Sequence, residues 1–365
     1  MSILLDGTQG IDFNDGSNQS TAATPYARKN LIINGDMRIA QRGTSTTGIT
    51  TNTYTVDRHQ LRLGTLGTWT MSQDTDVPTG QGFSNSVKIE CTTADASPSA
   101  SAFCIFNQII EGQNLQHLKY GTSNAESLTL SFWIKSNKTG TYINELWNTD
   151  GNRAVSKAFT IDSSNTWEKK TVTFEGDTVG TIDNDNGASF YARIWLGAGS
   201  TFTSGTLATA WQTSTSADKA VGQVNLADST SNYINITGLQ LEVNDSASDF
   251  EFVPYDMELA RCQRYYERSG TQPTDSYSVS DSSNNTVVVI HHKVTKRVTG
   301  TLHCSGSASG SRDGNWNYIR SGIGYTAGSC TPYRMNIEKL SFYVGIGATY
   351  AACNLYGWWE VDSEL

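Results

Sequence analysis

The chain of 365 residues exceeds the usual size of one domain, which sets the expectation of two globular units and a short terminal segment. Hydrophobic residues make up 37% and charged residues only 17%, with Ser, Thr, Asn and Gly supplying the polar remainder, a balance that fits an all-β, loop-rich particle rather than a helical enzyme. A net charge of -9 without a Lys/Arg cluster excludes nucleic acid as a partner, and no apolar run is long enough for membrane insertion.

Residues 1–29 open the chain with no basic stretch ahead of an apolar run, so no export signal is read there. Apolar residues instead cluster around two turns, Asp6-Gly7 and Asp15-Gly16, with Ile3, Leu4 and Leu5 before the first and Ile11 and Phe13 before the second. Such short strands cannot bury enough area alone, which predicts an arm that docks on a partner surface through those five residues; a frayed terminus is the alternative.

From residue 30 to 255 strand signals recur. Leu128, Leu130, Phe132 and Ile134 alternate with Thr129, Ser131, Trp133 and Lys135; further on, Phe190, Ala192, Ile194 and Leu196 alternate with Tyr191, Arg193 and Trp195. Further strands are expected over residues 57–63, 68–73, 86–92, 102–110, 157–161, 167–174 and 233–243. Together they predict a jelly-roll β-sandwich. In the last of these strands the apolar parity slips at Thr237-Gly238, which predicts a β-bulge. Residues 256–270 carry the strongest helical pattern, Met257 to Arg268, with Asp256 as N-cap, Gly270 as terminator, and Met257, Leu259, Ala260, Cys262 and Tyr266 on one side; it reads as a joint. Residues 271–365 form a second β unit, a C-terminal knob with strands over 286–290, 298–304, 340–346 and 355–361 and a heavy aromatic load.

The six cysteines are too scattered for a disulfide framework and none forms a CxxC pair, so all are read as reduced, structural thiols. His291 and His292 are adjacent on a strand and point to opposite faces, so they do not share a metal; His303, which could join one of them across a hairpin, reads as a surface histidine. Sugar recognition needs flat rings beside planar polar groups. Trp133, Tyr191, Arg193 and Trp195 form an aromatic and Arg ladder if their strands are neighbours, or a packing surface for another subunit or domain. Trp316, in the loop-like RDGNWNYIR, and Tyr318 are the glycan-binding candidates of the knob. Paired carboxylates for glycan cleavage would come from Glu145, Asp150, Asp183 or Asp185, whose loop-like settings are explained by turn chemistry. No catalytic residue is assigned.

The run KNLIINGDMRIAQRG (Lys29 to Gly43) resembles a signature near the start of phage tail-fibre and receptor-binding proteins. The opening SILLDGTQGIDFNDGSNQSTAA, the strand ITGLQLEV (Ile236 to Val243) and FEFVPYDMELARCQRYYE (Phe250 to Glu267) resemble segments of the same fibres, whereas residues 269–365 match none. The middle region, with SLTLSFWIKS and WEKKTVTF, also resembles jelly-roll carbohydrate-binding modules. That resemblance implies a structural calcium near the first and last strands. Here Arg38 and Met37 stand where an acidic residue and an aromatic are usual, leaving Asp36 and Glu242 as the candidate ligands; no cofactor is expected. The resemblance to fibres implies a homotrimer in a phage tail, assembled in the host cytoplasm, whose N-terminus grips another virion protein and whose body binds host-surface polysaccharide without cleaving it. A glycan-degrading tailspike and a purely architectural virion protein are the rival readings.

Overall fold

In the computed structural model the described residues are 5–6, 10–12, 18–19, 29–270, 273–279, 281–307, 312–320, 323–348 and 352–365. Their regular structure is nearly all β. Two antiparallel sheets span residues 45–243. The narrower orders its strands Glu168–Phe174, Leu128–Ser136, Tyr233–Val243, Ser86–Thr93, Thr68–Asp74 and Ser45–Ile49; the wider orders them Gln212–Thr213, Arg153–Ile161, Gly140–Asn148, Ala188–Ala198, Phe103–Glu111, Gln60–Gly64 and Thr53–Tyr54. Most strands that follow one another in sequence, such as Leu128–Ser136 and Gly140–Asn148, fall in opposite sheets, as in a jelly-roll sandwich. The alternation seen in the sequence builds the filling: Leu128, Leu130, Phe132 and Ile134 from one sheet meet Phe190, Ala192, Ile194 and Leu196 from the other in one buried cluster. Each large apolar side chain so buried contributes about 1.5–3 kcal/mol.

The bulge lies at the predicted place. Ser131 pairs with Gln240 but Trp133 pairs with Thr237, so Gly238 and Leu239 together oppose Phe132. Gly238 adopts φ +62°, and a Cβ there would come within 2.6 Å of the Phe83 ring, so only glycine fits.

Residues 29–39 run against this same strand. Asn30 Oδ1 accepts from the amides of Ile32 (3.0 Å) and Leu241 (3.1 Å), and its Nδ2 donates to the Leu239 carbonyl at 3.1 Å. Gly35 passes so close that a Cβ would lie 2.1 Å from Leu239 O. The Asn-Gly-Asp turn is thus a clasp between the start and the end of the sandwich.

The helix covers Tyr255–Gln263 and is shorter than its pattern. Pro254 occupies the N-cap position, without a side-chain cap bond, and Asp256 sits in the first turn instead. Met257 is 45% exposed, whereas Glu258 and Cys262 are buried. The pattern fails beyond Gln263 because Tyr266–Arg268 pairs antiparallel with Glu360, Val361 and Asp362, and strand pairing replaces the helical hydrogen bonds.

The terminal unit is a sheet ordered Tyr266–Arg268, Ala352–Asp362, Asn315–Arg320, Ile323–Pro332, Lys339–Gly345 and Asn285–His291, with Thr274–Val279 and Thr301–Ser305 also paired to Ala352–Asp362. Its core gathers Trp316, Phe342, Val344, Leu355, Trp359 and Val361 among others. The chain end returns to the sandwich, where Glu364 pairs with the buried Arg58 and with Arg42 (3.4 Å), and Arg42 also reaches Asp362 (3.2 Å). From the turn after the helix, Arg264 binds Glu111 with two bonds of 2.8 and 2.7 Å. All six cysteines are free thiols; five are buried and Cys330 is half-buried.

In the arm, Leu5–Asp6, Gly10–Asp12 and Asn18–Gln19 form a small antiparallel sheet in which Leu5 pairs with Ile11. Ile3, Leu4 and Phe13 lie outside the described residues.

Candidate functional site: the outer face of the wider sheet

Side chains that alternate outward from the wider sheet meet in register across three strands. Ile143, Glu145 and Trp147 stand opposite Trp195, Arg193 and Tyr191, which in turn oppose Ile105, Asn107 and Ile109. Arg193 donates to Glu145 Oε2 at 3.1 Å, Trp195 Nε1 donates to the same oxygen at 3.0 Å, and Lys219 lies 3.3 Å from Oε1. Trp147 and Tyr191 pack with ring centroids 5.0 Å apart. The Arg193 guanidinium stands 4.4 Å from the Trp147 centroid and 4.7 Å from that of Tyr191, and Lys219 Nζ lies 4.4 Å from Trp147. Burial lowers the pKa of both Arg193 and Lys219, and the Glu145 charge opposes that shift. Two desolvated cations on one carboxylate form a tight, directional cluster.

The structure thus brings Tyr191, Arg193 and Trp195 together, as their alternation predicts. It separates Trp133 from them, because Leu128–Ser136 belongs to the narrower sheet. The ladder of four residues is therefore corrected to a cluster of Trp147, Tyr191, Arg193 and Trp195 with Glu145 and Lys219. Trp147 escaped the sequence reading, and Glu145 was read only as a loop carboxylate, because Gly140–Asn148 is apolar on both faces, with Asn144 and Glu145 interrupting the alternation, and so reads as a loop. Lys219 comes from a connection that carries no strand signal.

That connection also closes part of the face. Trp195 is buried with Ile105, Ile143 and Ala220, against Phe202 and Leu207, and Ser156 Oγ donates to the Lys219 carbonyl at 2.9 Å. Trp195 (1% exposed) and Arg193 (4%) are therefore internal, a correction to their reading as sugar contacts; Tyr191 and Trp147 remain half-buried at the edge of the covered area.

Both candidates of the knob are also corrected. Trp316 is not in a loop but on the strand Asn315–Arg320, fully buried, with its indole N–H donating to the Trp358 carbonyl at 3.0 Å and its ring edge-on to Phe342 at 5.0 Å. Tyr318, on the same side of that strand, is 6% exposed. Alternation places both inward, toward Leu355 and Trp359.

Most of the acidic candidates are engaged structurally. Asp150 accepts from the Asp183 amide at 2.9 Å, a bond between two loops, and Asp185 from the Gly187 amide at 2.8 Å, a turn bond. Asp36 is 3.0 Å from the Arg38 guanidinium, while Glu242 accepts from Ser248 (2.6 Å) and Gln240 (2.9 Å). With a guanidinium on one carboxylate and neutral donors on the other, the residues do not fit the oxygen cage of a calcium ion. Among the described residues no group of three or more His, Cys, Asp or Glu could hold a metal. The His292 side chain is buried 3.8 Å from Glu267, which also binds Lys296. His303 faces Glu360 on another strand, and no hairpin joins it to His291.

No protein-family model and no curated protein matches the chain. Solved structures do show a local likeness. The enzymatically active domain of tailspike protein 4 of bacteriophage CBA120 is 16% identical over 59% of this chain and 21% of that one, with a TM-score of 0.30. A carbohydrate-binding module solved with β-1,4-galactotriose is 8% identical over 60% of this chain and all of its own, at a TM-score of 0.30. The xylan-binding domain CBM22-1 from Paenibacillus barcinonensis Xyn10C is 12% identical over 60% of this chain and 100% of its own, at 0.26. The chain thus spans about a fifth of the tailspike domain it resembles. Scores of this size carry no functional argument; the all-β fold stands on the strand pairing itself.

Proposed function

We propose that this chain is a bacteriophage tail-fibre protein that attaches to the virion through residues 1–29 and holds a host-surface glycan without cleaving it. The observation that carries this reading is the half-buried Trp147–Tyr191 pair, its rings 5.0 Å apart and braced by Arg193 on a sheet face. Flat rings offer the C–H faces of a sugar an apolar platform, and a sheet holds them with little motion to lose on binding. The resemblance of residues 29–43, 236–243 and 250–267 to tail fibres supports the phage assignment, and the resemblance of the stretches SLTLSFWIKS and WEKKTVTF to carbohydrate-binding modules supports a glycan partner. A non-catalytic role is supported by the engagement of Glu145 in an ion pair and of Asp150 and Asp185 in bonds to backbone amides rather than across a cleft. Assembly as a homotrimer is supported by exposed apolar side chains, Phe252, Tyr255 and Met257 on one segment and Val289 and Ile337 on the terminal unit, which a monomer leaves in water.

The test is adsorption of the purified protein to host cells. Tyr191→Ala with Trp147→Ala is expected to weaken binding by roughly tenfold, the loss of two stacking rings at about 0.7 kcal/mol each. Host polysaccharide incubated with the protein is expected to gain no reducing ends. Release of reducing ends would move the chain to the tailspike hydrolases, and unchanged adsorption of the double variant would remove this face from the site.

A further inference from the structure

A second exposed face lies in the terminal unit. Thr274–Val279 pairs with Ala352–Asp362 so that Asp275 stands opposite Tyr356 and Tyr277 opposite Asn354, while Asn315–Arg320 places Ile319 opposite Asn354 from the other side. These residues project away from the core, which holds their neighbours Cys353 and Leu355. They line a cleft of about 550 Å³, a volume within the range of small-ligand sites. Tyr277 is 70% exposed, far more than its ring area favours in water. No hydrogen bond or ion pair engages the side chains of Asp275, Tyr277 or Asn354 among the described residues.

We infer that this cleft is a glycan subsite distinct from the sandwich face, selective for neutral oligosaccharides. The inference rests on the reading of the chain as a glycan binder. Tyr277 and Tyr356 supply ring surface for C–H faces, Asn354 supplies a donor and an acceptor, and Asp275 accepts hydrogen bonds from a pair of adjacent hydroxyls. Carboxylates suit sugar hydroxyls because each oxygen accepts and neither donates. The same charge disfavours uronic and sialic acids, and among the described residues no cation lines the cleft to offset it. On the sandwich face, by contrast, Arg193 and Lys219 outnumber Glu145. The two faces would therefore read different sugars of one polysaccharide, with avidity from their linkage.

The experiment uses the full chain and saturation-transfer NMR with neutral trisaccharides of glucose, galactose, mannose and N-acetylglucosamine, beside a trigalacturonate. The expected result is contact with at least one neutral trisaccharide and none with trigalacturonate at this site, a loss of affinity of fivefold or more in Tyr277→Ala, and a smaller loss in Asp275→Asn. Tyr191→Ala with Trp147→Ala is expected to leave that binding intact. Neutral-sugar binding that survives Tyr277→Ala but vanishes in the sandwich double variant would overturn this subsite and leave the sandwich reading standing. Binding by neither face would overturn both. Dissociation of an oligomer by Tyr277→Ala, with sugar binding unchanged, would make the face a subunit contact and overturn the inference. Circular dichroism checks that each variant is folded.

Discussion

The two outer faces follow the same rule of alternation and end in opposite states. On the wider sandwich sheet, Arg193, Trp195 and Lys219 converge on Glu145, and the connection through Phe202 and Leu207 covers the tryptophan. On the terminal unit Tyr277 stands 70% exposed beside Asp275 and Asn354. The difference lies in what crosses the sheet afterwards. A long connection between Ala188–Ala198 and Tyr233–Val243 returns over the sandwich face, whereas the strands of the terminal unit join through short turns such as residues 333–338. A residue on the outward side of a strand is therefore available to a ligand only if no later segment needs its surface.

Trp316→Ala is the strongest way to break this comparison. As a core residue between Phe342 and the Trp358 carbonyl it is expected to cost about 4 kcal/mol of stability on denaturant unfolding, and any loss of adsorption would follow from unfolding of the terminal unit. A cost below about 0.5 kcal/mol would return Trp316 to the surface. Next comes Glu145→Gln, which leaves Arg193 and Lys219 buried without a counter-charge and is expected to cost about 3 kcal/mol. Little change would mean that the cations reach solvent and that the sandwich face is more open than its pairing implies.

The junction between the two regions supplies a pH test. Burial raises the Asp57 carboxyl from 3.8 to about 6, against the pull of Arg42 and Gln41, so the folded chain holds that proton more tightly than the unfolded chain. Its contribution favours the fold at low pH and is lost as pH rises from about 4 through 6. His59, stacked on Phe106 and buried, is lowered from 6.5 to about 4; the unfolded chain then binds the extra proton, and stability falls as pH drops through that same window. The two oppose each other. Asp57→Asn removes one side, so its melting temperature is expected to fall more steeply than that of the wild type between pH 7 and 4. Parallel curves would show that Asp57 does not hold its proton. The smallest effect belongs to Tyr277→Ala, which is expected to change stability by less than about 0.5 kcal/mol because the ring is in water.

Much of the fold was legible. The strands through Leu128, Phe190 and Ile236 follow period-two patterns, and the slip at Thr237-Gly238 located the bulge, because strand geometry ties each residue to a face. The helix was legible at its start but not its end, since the pairing of Tyr266–Arg268 with a strand some ninety residues later leaves no local mark. Gly140–Asn148 was missed for a related reason: a strand buried on both faces has no alternation to read. The site was legible only in part. Tyr191 and Arg193 could be placed on one face, but Trp147, Glu145 and Lys219 join them through strand order and a distant loop.

By itself the sequence determined the all-β character, the inward aliphatic stripe of the sandwich and the bulge at Thr237-Gly238, because these depend on backbone geometry and on neighbours two residues away. Only the tertiary structure decided which sheet Trp133 joins, that Trp316 and Tyr318 fill a core, and that Glu145 gathers two cations instead of acting alone. Facing is a local property of a strand; exposure is set by whatever remote segment the fold lays over it.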